Sequence, residues 1–192
     1  MPYLKGVGMI SDYLVNKMIA SKIIEENDRE IYSYGLKEGI IILQNLIISF
    51  GLGILFNSFV QTLAFLGAYI PLRSFAGGYH AATEKRCFAY SLGLILLLEL
   101  YFTFGMSKSH GYLYPLAIIA IVIIYKCAPL QSENKPLSLK EKHDYSLIVK
   151  KALLIEIGLV MIFGVLKLSE FNAGILIALI VEGVLLILGK FI

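Results

Sequence analysis

Residues 39–72 read GIIILQNLIISFGLGILFNSFVQTLAFLGAYIPL and contain no charged side chain in 34 positions. One straight α-helix of that length would measure about 51 Å at ~1.5 Å per residue, whereas the hydrocarbon core of a bilayer is ~30 Å thick. The run must therefore break, and the polar pair Asn57-Ser58 is where we expect the turn. The break leaves a first span of ordinary length and a shorter second segment, residues 59–72, which crosses the bilayer only by continuing through Arg73.

The composition of the whole chain agrees with a protein that crosses the membrane several times. Of the 192 residues, 58% are hydrophobic and only 16% are charged, and the mean hydropathy is +0.77. A soluble domain of this size could not cover its surface with so few polar side chains. Two cysteines are too few for a disulfide framework. We therefore predict an all-α integral membrane protein.

The N-terminal 35 residues differ from the rest of the chain. Charges of both signs occur there, so we expect no cleavable signal peptide. Ile10, Tyr13, Leu14 and Met18 recur at helical spacing, which predicts an amphipathic helix lying at the membrane interface. Residues 36–192 are then the polytopic membrane domain. Its later apolar segments are residues 88–106, 111–127, 147–166 and 171–188.

The distribution of basic residues predicts six spans, of which the second is short. With six spans and both termini inside, fifteen of the seventeen Lys and Arg residues are cytoplasmic, and only Lys108 and Lys167 lie outside. If residues 59–72 were re-entrant instead of crossing, either the basic residues from Arg73 onward would change sides or the N-terminus would. The separation of basic residues would then be lost. The six-span topology places two hydrophilic loops in the cytosol, namely residues 73–87 and the basic loop of residues 128–146.

The loop RSFAGGYHAATEKRC, residues 73–87, contains the residues best suited to chemistry. A cysteine attacks as its thiolate, and a helix N-terminus and nearby cations favour that form. Thr83 is a suitable N-cap for the third span, so Cys87 is expected in the first turn of that helix, directly after a lysine and an arginine. His80 is the candidate base or ion-pair partner.

Helix geometry sets a condition on this pair. Seven residues on a straight α-helix are about 10.5 Å apart along the axis, which is too far for a working Cys–His pair. Either the chain folds back between His80 and Cys87, for which Gly77-Gly78 offers a hinge, or the histidine comes from a second subunit. A rival pair, Cys127 with His143, is less favourable because the C-terminal end of a helix disfavours a thiolate.

Four further residues are candidates for supporting roles. Glu84 lies four residues after His80 and could orient it, although a surface carboxylate is the simpler interpretation. Arg73 is expected either to bind a substrate carboxylate or to extend to the membrane interface. Gln44 and Asn45 are polar residues within the first span, where they could donate to an oxyanion or contact another helix.

The segment His80-AATEKR-Cys87, preceded by Arg73-SFAGGY, resembles the signature of the accessory gene regulator protein B (AgrB) family. The chain length, the charged N-terminal segment and the position of the motif after the second span agree with that family. The resemblance implies a bacterial membrane cysteine endopeptidase with Cys87 as nucleophile and His80 as its partner. Such an enzyme removes the C-terminal tail of a small AgrD-type precursor and promotes closure of a thiolactone or lactone ring, which gives a quorum-sensing autoinducing peptide.

A transporter or channel is the competing class, because Glu99, Glu156 and Glu182 lie within apolar segments, where carboxylates are costly and often functional. Glu99 lies about 18 Å along a helix from Cys87 and cannot join the same site. The histidines and cysteines lack the compact spacing of a metal site. We expect the lipid bilayer and an AgrD-type precursor as partners, and no cofactor, metal or nucleic acid. Homodimerisation is left open.

Overall fold

The computed structural model describes residues 2–79, 84–105, 111–131 and 138–191. Every regular element in these ranges is helical, which confirms the predicted all-α class. A 3₁₀ turn, Glu26–Asp28, precedes the second helix, and a π-helical turn, Tyr101–Gly105, extends the fourth. The α-helices in the described ranges are α1 Pro2–Ala20, α2 Arg29–Leu55, α3 Phe59–Ala76, α4 Glu84–Leu100, α5 Leu113–Cys127, α6 Leu139–Val165 and α7 Ser169–Phe191.

Helices α2 to α7 correspond in order to the six apolar segments predicted from the sequence. In the described part of the chain, three stretches are long and apolar enough to cross a bilayer: Glu26–Leu55, Arg86–Phe104 and Ser169–Phe191. Helix α5 is apolar but shorter. These helices identify a membrane protein, whereas the number of six spans stays a prediction.

The predicted break in the long uncharged run is confirmed at Asn57. This residue has a φ of +56°, a left-handed conformation that ends the helical path. The amide of Ser58 donates to the carbonyl of Gly53 at 2.8 Å, and α3 begins at the next residue. Helix α3 then continues through Arg73 to Ala76, as a second span of sufficient length requires.

The chain divides into two compact units, residues 1–49 and 50–192. In the first unit, Lys22 at a φ of +56° ends the N-terminal helical segment before the 3₁₀ turn. The hydroxyl of Ser33 on α2 donates to Asp12 Oδ1 on α1 at 3.0 Å and connects the two helices. Helix α1 exposes Ile10 and Tyr13, two of the apolar residues from which an interfacial helix is predicted.

Helix α7 lies at the centre of the second unit and packs against α3, α5 and α6. Two glycines allow close approach of its neighbours. A Cβ on Gly174 would lie 2.7 Å from Ala64 Cβ and 2.9 Å from the Phe65 nitrogen on α3. A Cβ on Gly183 would lie 2.9 Å from Ala120 Cβ on α5. Small residues at such contacts are typical of helix packing in membranes.

The second half of the basic loop, residues 139–146, is helical and forms the beginning of α6. Ser138 and Glu141 form a reciprocal capping box, in which the Glu141 amide donates to Ser138 Oγ at 3.2 Å and the Ser138 amide donates to Glu141 Oε2 at 2.9 Å. This cap satisfies two amides at the helix start. Helix α6 therefore begins eight residues before the apolar segment predicted at Leu147.

Candidate active site

Residues Gly77–Tyr79, the loop that the structure describes after α3, give the first part of the 73–87 segment its shape. The φ angle is +77° at Gly77 and +122° at Gly78, values that residues with a side chain rarely adopt. The guanidinium of Arg73 donates from Nη1 to the Gly77 carbonyl and from Nη2 to the Tyr79 carbonyl. The chain therefore leaves the helical path at Gly77, and residues 73–87 do not form one straight helix.

Other parts of the second unit hold the same loop from outside. The amide of Tyr79 donates to the carbonyl of Leu185 on α7 at 3.0 Å. The amide of Leu130 donates to the carbonyl of Ala76 at 2.9 Å. Gly189 on α7 lies so close that a Cβ there would be 2.6 Å from the Tyr79 nitrogen. The loop is thus fixed by main-chain contacts to two segments that are distant in sequence.

Arg73 has an acidic neighbour that the sequence analysis did not assign to it. Nη1 of Arg73 lies 3.8 Å from Oε1 of Glu182, whose side chain is fully buried in α7. Each of the two is costly to bury alone, so mutual proximity within the apolar bundle compensates part of that cost. The guanidinium contacts two carbonyls and this carboxylate, while its predicted role in binding a substrate carboxylate stays a prediction.

Cys87 lies in the first turn of α4, at the position predicted from the sequence. Helix α4 begins at Glu84, so Cys87 is its fourth residue, and its side chain is exposed and not part of a disulfide. The first turn of a helix carries unsatisfied amides and the positive end of the helix dipole, both of which favour a thiolate. The location is suitable for a nucleophile.

Three tyrosines lie near Cys87, Arg73 or the loop, and the sequence analysis missed all of them. The ring of Tyr79 lies 6.2 Å, centroid to centroid, from that of Tyr90, which is one helical turn after Cys87 on α4. Tyr69, one turn before Arg73 on α3, has a hydroxyl within electrostatic range of Arg73, Glu182 and Cys87. The thiol therefore shares a region with the loop and the buried ion pair. The sequence signal that could have indicated Tyr90 and Tyr69 is their spacing of one helical turn from Cys87 and from Arg73, respectively.

Several predicted site residues cannot be placed at this location. His80 and the proposed N-cap Thr83 lie outside the described residues, and Glu84 is described only as the first residue of α4. Gln44 and Asn45 lie on α2 in the first unit, where the Asn45 carbonyl accepts the Ser49 hydroxyl at 2.7 Å. The pairing of His80 with Cys87 and the supporting roles of the others stay predictions.

The cysteine of the rival pair lies at the C-terminal end of a helix, whereas Cys87 lies near an N-terminal end. Cys127 is the last residue of α5 and is half-buried, so it lies at the negative end of the helix dipole. His143 is in the N-terminal part of α6. Across the described ranges, no group of three or more His, Cys, Asp or Glu side chains could hold a metal ion.

The other two intramembrane carboxylates are also buried. Glu99 on α4 accepts hydrogen bonds from the hydroxyls of Ser58 and Thr62, the latter at 2.7 Å, and so connects α4 to the start of α3. Glu156 on α6 is within electrostatic range of Glu182. These contacts give Glu99 and Glu182 defined partners within the helix bundle.

Comparison with known proteins identifies relatives along most of the chain. The profile of the family described as accessory gene regulator B matches residues 9–187. An AgrB-like protein of Clostridium perfringens strain SM101 is 29% identical over 67% of this chain and 64% of its own length. A second, from strain 13, is 31% identical over 67% and 65%. The chain thus spans just under two thirds of both. Accessory gene regulator protein B of Staphylococcus haemolyticus is 27% identical over 80% and 79%. No solved structure matches the chain.

Proposed function

The chain belongs to the accessory gene regulator B family, and from this premise we propose that it is a membrane cysteine endopeptidase of the agr quorum-sensing system. Its substrate is an AgrD-type precursor peptide, from which it removes the C-terminal tail before ring closure. The observation that carries the proposal is the exposed thiol of Cys87 in the first turn of α4. The ordered approach to His80 through Gly77–Tyr79 supports it.

The proposed reaction has two acyl transfers. The Cys87 thiolate attacks the carbonyl carbon before the tail, the C–N bond breaks, and His80 as imidazolium protonates the leaving amine. The product is a thioester between the precursor and Cys87. A cysteine or serine side chain of the same peptide then attacks that thioester, transfers its proton to His80, closes the ring and releases the thiolate. Because the thioester retains acyl-transfer reactivity, ring closure requires no ATP.

The proposed topology has six spans, both termini in the cytosol and residues 73–87 facing the cytosol. The partition of basic residues supports it, because fifteen of seventeen then lie inside. A precursor that has not been secreted would reach Cys87 from that side. A basic cytoplasmic surface would also attract an acidic tail of the precursor by long-range electrostatics.

Cysteine labelling tests this topology. We expect single cysteines at Asn57, Lys108 and Lys135, each in a Cys87→Ala, Cys127→Ala background, to be outside, outside and inside, respectively. A membrane-impermeant maleimide applied to intact cells should label the first two and should label the third only after permeabilisation. Labelling of position 135 in intact cells would contradict the six-span topology without bearing on the chemistry of Cys87.

A covalent intermediate tests the proposed reaction. The probe is a synthetic AgrD-type precursor peptide with its ring-closing cysteine or serine replaced by alanine. We expect the purified full-length protein to release the tail and retain the remainder as an adduct on Cys87, because the second transfer is blocked. Intact-protein mass spectrometry detects the adduct, and neutral hydroxylamine should remove it. Tail release without any hydroxylamine-sensitive adduct would contradict the covalent route.

A further inference from the structure

We propose that Glu182 on α7 is a positioning residue of this peptidase, which holds Arg73 and through it the loop that leads to His80. The inference rests on the proposed function and assigns to the last helix a role in shaping the site. Glu182 is distant in sequence from both reactive residues, and within the described part of the structure it does not contact Cys87. Its effect on the reaction is therefore indirect.

Arg73 binds the loop at two points. Its two terminal nitrogens contact the carbonyls of Gly77 and Tyr79, the first and last described residues of the loop. Between these carbonyls lies Gly78, which is buried and has no room for a Cβ beside the guanidinium. His80 is the next residue after Tyr79. Arg73 therefore fixes the last described residue before His80 in the sequence.

One face of α7 contacts Arg73 once and the loop twice. Glu182, Leu185 and Gly189 are spaced by three and four residues, which places them on the same side of a helix. Glu182 lies 3.8 Å from Arg73, the Leu185 carbonyl accepts the Tyr79 amide at 3.0 Å, and Gly189 leaves space against the same amide. The Glu182 side chain, the Leu185 carbonyl and the lack of a side chain at Gly189 thus all constrain Arg73 or the loop that it binds.

Stability alone does not explain why a glutamate occupies position 182. Its side chain is fully buried, and among the described residues neither carboxylate oxygen accepts a hydrogen bond. A buried carboxylate of this kind is costly, and an apolar residue of similar volume is often as stable. What the carboxylate supplies is compensating charge for Arg73. Without this carboxylate, the Arg73 guanidinium would be more stable in contact with water than in its hydrogen bonds to the two carbonyls.

The test measures single-turnover acylation of Cys87 in the full-length protein, using the AgrD-type peptide probe described above, in which alanine replaces the ring-closing residue so that the adduct is retained. We expect Glu182→Gln to slow acylation of Cys87 by roughly 10- to 100-fold, because a displacement of about 1 Å has effects of that size. KM should stay within about twofold. The fraction of Cys87 that is finally acylated should equal that of the wild type, which a partly misfolded sample would not achieve. An unchanged rate overturns the inference.

A double-mutant cycle tests whether Glu182 acts through Arg73. If it does, Arg73→Gln with Glu182→Gln should be no slower than Arg73→Gln alone, because the two share one interaction. Multiplicative losses would overturn the proposal. Glu99→Gln is the matched control, since Glu99 is an equally buried carboxylate that pairs with Ser58 and Thr62, and it should acylate at the wild-type rate.

A second variant keeps the inference testable if Glu182→Gln fails to fold. Gly189→Ala leaves the ion pair in place but puts a methyl group against the Tyr79 amide, so it should slow acylation with KM unchanged. A wild-type rate for this variant contradicts control of the loop by α7. Failure of the proposed function looks different, because the precursor would then be processed even without the Cys87 thiol.

Discussion

Replacement of Cys87 by alanine is expected to abolish cleavage of the AgrD-type precursor. The thiol is the proposed nucleophile, and loss of a nucleophile lowers turnover by a factor on the order of 10⁴ or more. His80→Ala should give a comparable loss, because no partner would then hold the thiolate or protonate the leaving amine. Mass spectrometry of the precursor after incubation with each purified variant measures the effect, and membrane fractionation establishes that the variant is inserted.

Cys127→Ala is the matched control for this experiment. Cys127 is the other cysteine of the chain, and it lies at the C-terminal end of α5, where the helix dipole disfavours a thiolate. We expect this variant to process the precursor at the wild-type rate. Normal processing by Cys87→Ala, or equal loss in both cysteine variants, would exclude Cys87 as the nucleophile.

Gly174→Val is expected to have the largest effect on stability. A Cβ at this position would lie 2.5 Å from the Gln61 carbonyl oxygen and 2.7 Å from Ala64 Cβ, so α3 and α7 would have to separate. Because backbone cannot yield as a flexible side chain does, we expect a loss of about 3 kcal/mol in the free energy of unfolding, which corresponds to a decrease of about 6–12 °C in Tm. Thermal unfolding in detergent micelles measures it.

Gly158→Val on α6 controls for the change of residue type. Apart from the neighbouring backbone of its own helix, no atom lies within 4 Å of the position that its Cβ would occupy, although this glycine also lies in an apolar helix of the second unit. We expect the free energy of unfolding to change by no more than about 0.5 kcal/mol. Equal destabilisation by both variants would show that the close contact between α3 and α7 is not what Gly174 provides.

Local sequence signals predicted the elements of the fold better than their contacts. The break at Asn57 followed from the length of the uncharged run, and the position of Cys87 followed from a polar loop before an apolar segment. Hydropathy indicated the apolar segment from residue 147 but not the start of its helix, since α6 begins at Leu139. The capping pair Ser138 and Glu141 is a local signal that would have indicated the earlier start.

The arrangement around the 73–87 segment could not be predicted in the same way. The partner of Arg73 is Glu182, and the acceptor for the Tyr79 amide is the carbonyl of Leu185, both on the last helix. A main-chain carbonyl carries no residue-type signal at all. An intramembrane carboxylate does signal a pairing, but the sequence supplies three of them, and only the packing of α3 against α7 selects Glu182.

The hydrogen bond between Tyr79 and Leu185 also has a consequence for biosynthesis. The ribosome completes Tyr79 roughly a hundred residues before Leu185, and at ~5–20 residues per second the loop waits about 5–20 s for its acceptor. During that interval Arg73 has no Glu182 beside it either. Cys87 is therefore synthesised before the neighbouring loop is held in place. Only insertion of α7 supplies Leu185 and Glu182, so a chain terminated before α7 would lack both of these contacts.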